Sequence, residues 1–285
     1  MLKQTFLHIP GVGHTVEQRL WKAGFHSWDH FLERRTDASS PRHLINLLDG
    51  HVQRSQESLA RGDAAYFEKL LPGSEHWRLY RDFSGGVAFL DIETTGLGWG
   101  RDCITVIGLY DGRRAKVFVK GKNLSEFPEE IRKYSLLVTY NGRQFDLPFI
   151  RRAIGPLPYH QGHIDLRYPL RALGYSGGLK SIEGQLGLQR QGALLGADGY
   201  VAVLLWQEHL SGNRHALETL IRYNLEDVVN LRYLAEVTYN MALARLPVAL
   251  EPLVVRPEHE LEMPYEADAV LLRRLRAWID SRSDE

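Results

Sequence analysis

A single cysteine, Cys103, excludes an internal disulfide in a chain of 285 residues and fits a reducing compartment. Net charge is just as scarce, because 35 basic residues are matched by 35 acidic ones. That balance excludes a strongly basic nucleic-acid coat, so any polyanion site must be a local patch. No apolar run approaches membrane-spanning length, and Met1-Leu2-Lys3-Gln4-Thr5 lacks the long apolar core of a signal peptide. These absences point to a cytoplasmic protein with no membrane partner. No internal repeat and no low-complexity block stands out. What the chain does have is an ordinary globular composition, 44% hydrophobic and 25% charged, with ample material for a core.

Three regions follow from the patterning. Residues 1–84 read as helical: the glycine-rich turn Ile9-Pro10-Gly11-Val12-Gly13 opens a helix carrying Val16, Leu20 and Ala23, and Gly24 stops it. Ser27 caps the next helix, with Trp28, Phe31 and Leu32 turned inward. Further helices run through Leu44–Leu48 and Ala64–Leu71, the latter broken by Pro72-Gly73. Residues 85–245 change to strands. Val87–Ile92 is apolar on both faces, as in a central strand covered on both sides. Ile104–Tyr110 and Ala115–Val119 form a hairpin, a helix spans about 126–134, and Leu136–Tyr140 and His163–Leu166 are further strands. Helices dominate from Leu179 to about Leu246. This order predicts an α/β fold, a mixed β-sheet flanked by helices. Residues 246–285 form a connector with Pro247, Pro252, Pro257 and Pro264, then a helix over 267–279.

The segment Val87-Ala88-Phe89-Leu90-Asp91-Ile92-Glu93-Thr94-Thr95-Gly96-Leu97 carries the chemistry. Residues two apart share a strand face, so Asp91 and Glu93 lie together, roughly 6–7 Å apart at Cα. Two carboxylates at the end of an apolar run repel each other and cost desolvation energy, and a divalent cation is the economical reason to keep them there. Asp146 begins a helix just past a strand end, behind Asn141 and Phe145. Tyr223 and Asp227 stand one turn apart on the same face of a long amphipathic helix. Taken singly, each of these is an ordinary cap or a solvated pair; the joint order is what matters.

That order resembles the three motifs of the DEDD-type 3′→5′ exonucleases of the ribonuclease H-like superfamily. Asp91-Ile92-Glu93-Thr94-Thr95-Gly96 is similar to the first motif and Asn141-Gly142-Arg143-Gln144-Phe145-Asp146 to the second. Tyr223-Asn224-Leu225-Glu226-Asp227 is similar to the third in its tyrosine form; the histidine form would need His where Arg222 stands. The string resembles proofreading domains of family B DNA polymerases and, more nearly, bacterial YprB-like exonuclease-domain proteins. The resemblance implies two divalent cations, Mg2+ or Mn2+, held by Asp91, Glu93, Asp146 and Asp227. In it Asp91 bridges both ions, Asp146 holds the second largely through water, and Tyr223 orients the attacking water. It implies a single-stranded DNA or RNA partner with a 3′ end, met by Thr94, Thr95 and Asn141; protein partners stay unknown. Carboxylates suit this task because hard cations take oxygen ligands.

The turn holding Gly11 and Gly13 resembles a helix-hairpin-helix element, in which glycine amides hold a nucleic-acid phosphate without reading sequence. Trp21, Trp28 and Trp77 read as core. Asp165 is expected in a turn, Asp102 and Glu226 at the surface, His160 and His163 in structural roles, and Lys180 as an ordinary helix-surface lysine. The competing functional readings are a non-catalytic nucleic-acid binder on the same fold and a ribonuclease H-like endonuclease. Retention of every acid together with Tyr223 argues against the first, and Tyr223 and Phe145 against the second.

Overall fold

Glycine, serine and proline punctuate the N-terminal third much as expected. The computed structural model describes residues 1–36, 42–98, 100–158, 160–188, 199–255 and 265–283. Gly13 caps helix α1 (His14–Lys22), and Gly24, left-handed at φ +88°, follows its end. The Ser27 hydroxyl accepts from the His30 amide at 3.2 Å to cap α2 (Trp28–Arg34). Helices α3 (Arg42–Leu48), α4 (His51–Ala60) and α5 (Ala64–Leu70) follow, then a 3-10 segment Gly73–Leu79 and the short α6 (Tyr80–Phe83). Helix α4 is additional to expectation: it buries Val52, Ser55 and Ser58, two of them serines, so no apolar period marks it. The turn at Gly11 and Gly13 is preceded by a three-residue 3-10 turn, Leu2–Gln4, so one α-helix flanks it rather than two.

This region packs on a buried ion cluster. Arg78 has no exposed side-chain surface; its Nη2 lies 3.2 Å from Glu17 Oε2 and its Nε 2.7 Å from Glu75 Oε2. Glu17 also accepts from the Thr5 hydroxyl at 2.6 Å and the Phe6 amide at 2.8 Å. Trp21, Trp28 and Trp77 are buried, and the indole N–H of Trp28 donates to the Thr5 carbonyl at 2.7 Å.

The sheet is built from β1 (Val87–Thr94), β2 (Ile104–Tyr110), β3 (Ala115–Val119), β4 (Leu136–Thr139) and β5 (Gly162–Asp165). Its spatial order is β3-β2-β1-β4-β5, antiparallel across β3-β2-β1 and parallel across β1-β4-β5. The period-two pattern sorts β1 between two cores: Val87 and Phe89 join one, Ala88, Leu90 and Ile92 the other. Asp91 and Glu93 therefore extend the row of Val87 and Phe89. Register shifts between Glu93 and Thr94, a bulge that ends regular pairing beside the acids.

Helix α7 (Phe127–Ile131) is shorter than the expected 126–134: it starts after a 3-10 turn, Leu124–Glu126, and gives way to a turn after Ile131. Helix α8 (Asp146–Ile154) follows β4, and α9 (Arg167–Leu173), α10 (Leu179–Gln185), α11 (Gly199–Leu210) and α12 (Arg214–Leu243) follow β5. The thirty-residue α12 lies on β1 and β2 and reaches the N-terminal region, where Tyr239 meets the Trp77 ring edge-on at 5.5 Å. One apolar core runs from Leu2 through the sheet to Leu275, so residues 1–84 and the strands share it. Helix α13 (Ala269–Ser283) starts behind Asp268, whose carboxylate accepts from the Val270 and Leu271 amides. Pro257 and Pro264 of the expected connector lie outside the described residues. No helix among the described residues is long and apolar enough to cross a membrane.

Candidate metal-binding active site

Strand β1 and helix α12 bring three of the expected acids to one point. Asp91, Glu93 and Asp227 each offer a carboxylate oxygen, and the three oxygens lie within 4.8 Å of one another. Glu93 and Asp227 are buried and Asp91 half-buried. They line a cleft of about 800 Å³ together with Thr94, Thr95, Asn141, Asp146 and Tyr223, closed on one side by α11. Burial first, and the neighbouring Asp227 second, push the Glu93 carboxyl well above the ordinary carboxylate range; Lys180 and Asn224 oppose this. Like charges concentrated out of water are what a divalent cation relieves, and an all-oxygen donor set suits a hard one.

Asp146 enters the same cleft but stands apart from the triad. Its Oδ1 accepts from the Ile92 amide at 3.1 Å, and burial pushes its carboxyl up to about 7. Asp165 has the expected turn role: its carboxylate accepts from the amides of Asn141, Arg143 and Arg167 at 2.7, 3.0 and 3.1 Å. This holds Asn141 at φ +64°, the one left-handed non-glycine among the described residues. His163 is structural, its Nε2 2.9 Å from the Thr139 hydroxyl and its pKa lowered by burial to about 3. The Thr94 hydroxyl donates to the Gly96 carbonyl at 2.7 Å. The Thr95 amide already donates to the Cys103 carbonyl at 3.0 Å, so that amide is engaged within the loop rather than open to a nucleotide.

Three expectations are corrected. Glu226 is buried rather than exposed, because α12 packs along the sheet, and Arg222 one turn away lies 3.8 Å from its carboxylate. Asp102 is half-buried and organises the loop after β1, accepting from the Thr95 hydroxyl at 2.8 Å and the Gly98 amide at 2.6 Å. Lys180 is no bystander: its ammonium donates to the Tyr223 phenol oxygen and sits 4.2 Å from the ring centre.

One contributor, Asn224, was not given a role from the sequence, and Lys180 was given the wrong one. The Asn224 amide donates to Asp91 Oδ2 at 2.9 Å. It reaches that far because Gly108 lies opposite Asp91 on β2; a Cβ there would stand 2.1 Å from Asn224 Oδ1 and 3.2 Å from Val228 Cγ1. A lone glycine inside a strand is the usual sign of such a close approach. Lys180 had no comparable signal, since only the fold brings α10 to α12.

A family model described as the RNase_H superfamily matches residues 88–239, just over half of the chain. Among solved structures, a family B DNA polymerase from the archaeon Pyrobaculum calidifontis is similar at 18% identity and TM-score 0.41, over 54% of this chain. The match covers 25% of that polymerase, so the chain corresponds to about a quarter of its length. Brucella melitensis NrnC with bound Mg2+ is similar at 22% identity and TM-score 0.41, over 58% of this chain and 77% of NrnC. The same protein bound to pGG matches at 23% identity and TM-score 0.39, with the same coverage. Comparison with curated proteins gives no match.

Proposed function

The chain belongs to the RNase_H superfamily, and from that premise we propose that it is a divalent-metal-dependent 3′→5′ exonuclease acting on single-stranded nucleic-acid ends. The observation that carries the reading is the convergence of Asp91, Glu93 and Asp227 within 4.8 Å, in a cleft that Tyr223 also lines. Divalent ions bound there would activate a water and stabilise the departing 3′ oxygen.

In this reading the residues of the chain divide the remaining work. Asp91, Glu93 and Asp227 would hold metal, and Asp146, placed against the Ile92 amide, would contribute a further carboxylate. Asn224 fixes the rotamer of Asp91 by its 2.9 Å hydrogen bond. Lys180 donates to the Tyr223 oxygen, which leaves the phenol proton to orient the attacking water. Asn141 and Thr94 line the cleft and would border the terminal nucleotide. A protein that only bound nucleic acid would gain nothing from clustered carboxylates facing a polyanion.

The test uses labelled single-stranded DNA and RNA with Mg2+ or Mn2+. Shortening from the 3′ end is expected, stopped by a blocked 3′ terminus, insensitive to a blocked 5′ terminus and absent on a circle. Asp91→Ala is expected to lower the rate at least about 10³-fold, roughly 4 kcal/mol of transition-state stabilisation. Internal cleavage of the circle would replace this reading with an endonuclease, and undiminished cleavage by Asp91→Ala would remove the site from the chemistry.

A further inference from the structure

Without cations an acidic pocket repels a nucleic-acid strand, so metal-independent affinity for a polyanion would come from elsewhere on the molecule. With a net charge of +0 it cannot come from the surface as a whole. A second cleft, about 450 Å³, adjoins the acidic one, and the two share Tyr140 and Asn141 as common wall. Arg167, Arg171 and Tyr175 line it, and no carboxylate does.

Arg167 and Arg171 are exposed and stand one turn apart on α9, so they present their charge along one face. Neither pairs with a carboxylate side chain among the described residues. Arg167 Nη1 instead donates to two neutral acceptors, Asn141 Oδ1 at 2.5 Å and Gln144 Oε1 at 3.2 Å. Its guanidinium is thereby aimed without being neutralised. The Tyr140 phenol donates to the Gly177 carbonyl at 2.5 Å and so ties the partition between the clefts to the far wall. Two exposed cations, one of them oriented, beside half-buried tyrosine rings match a single strand, phosphates on the arginines and bases against the rings.

We propose that this second cleft is an upstream subsite, holding backbone phosphates of a single strand whose 3′ end lies in the acidic cleft. The strand's direction rests on the exonuclease reading; the phosphate site does not. The chain is thus built to grip an oligonucleotide several residues long rather than a dinucleotide.

The test is fluorescence anisotropy with a 5′-labelled ten-nucleotide single strand, as DNA and as RNA, in chelator. Wild type is compared with an Arg167→Ala/Arg171→Ala double variant, with Arg171→Ala alone, and with Arg113→Ala as a control at an exposed turn. Each single-strand phosphate contact contributes about 0.7 to the log–log salt slope, so two contacts contribute about 1.4. Between 50 and 200 mM salt, wild type is therefore expected to lose about 7-fold more affinity than the double variant. Arg171→Ala should fall midway, and a labelled dinucleotide should bind all variants alike. Equal slopes for wild type and the double variant, or an equal loss in Arg113→Ala, would overturn the subsite. A wild type that binds through these arginines yet never shortens a strand would instead refute the exonuclease reading and leave the phosphate cleft standing.

Discussion

Arg78 with Glu17 and Glu75, and Asp91 with Glu93 and Asp227, are two groups of ionisable side chains folded into one protein, and the first is built around a cation. Around Arg78 each carboxylate meets the guanidinium, and Glu17 is further satisfied by Thr5 and the Phe6 amide. In the cleft three carboxylates face one another, with Lys180 as the cation that eases Glu93. Charge that is matched inside a fold serves the fold. Charge that is concentrated with one sign is kept for something that arrives from outside.

The largest effect separating the two should come from Arg78→Met. It strands Glu17 in the interior and is expected to cost about 3–5 kcal/mol, read from urea unfolding. The mirror change, Glu93→Gln in chelator, should leave the unfolding midpoint equal or higher, since it removes repulsion; a loss comparable to that of Arg78→Met would erase the distinction. Next comes metal itself. Mg2+ or Mn2+ at a hundred times its dissociation constant should stabilise wild type by about 2.7 kcal/mol, seen as a rise in Tm, while Asp227→Asn loses that rise. Gly108→Ala should cost about 1–3 kcal/mol by forcing Asn224 off Asp91 and α12 off β2, and should lower activity more than the smaller cost in stability explains.

A pH slope offers a further comparison. The Asp146 carboxyl sits at about 7 in the folded protein against an ordinary 3.8. Its proton therefore favours the folded state fully below pH 3.8, and that stabilisation is lost as pH rises through about 7. His8 and His163, each held near 3 by burial, act in the opposite sense. Their stabilisation is present above pH 6.5 and lost on acidification. The difference between wild type and Asp146→Asn in chelator isolates the contribution of Asp146, which saturating Mg2+ should abolish.

Much of this architecture was legible in the sequence. The alternation Val87-Ala88-Phe89-Leu90 announced a strand with two covered faces, the runs 104–110 and 115–119 a hairpin, and the spacing of Asp91 and Glu93 their shared face, whereas the place of Asp227 beside them was implied by the family resemblance alone. Local rules sufficed there because strand alternation and helical pitch are properties of neighbours in sequence. They failed where long-range packing decides. Glu226 is buried because of where α12 lies, Lys180 meets Tyr223 across forty-three positions, and α4 is polar enough to hide its period. Asp146 lies between these cases: its helix start was foreseen, its hydrogen bond to Ile92 and raised pKa were not.

Helix α12 has one more consequence. It runs unbroken for thirty residues, about 45 Å, from Asn213 at its cap, past Asn224 and Asp227, to the ring contact of Tyr239 with Trp77. Held at the cleft acids near its middle and against Trp77 near its end, the stretch from Asp227 to Tyr239 is fixed at two points. Backbone amides around Asp227 should therefore exchange with solvent only when the whole protein opens, which makes the placement of the carboxylates as durable as the fold.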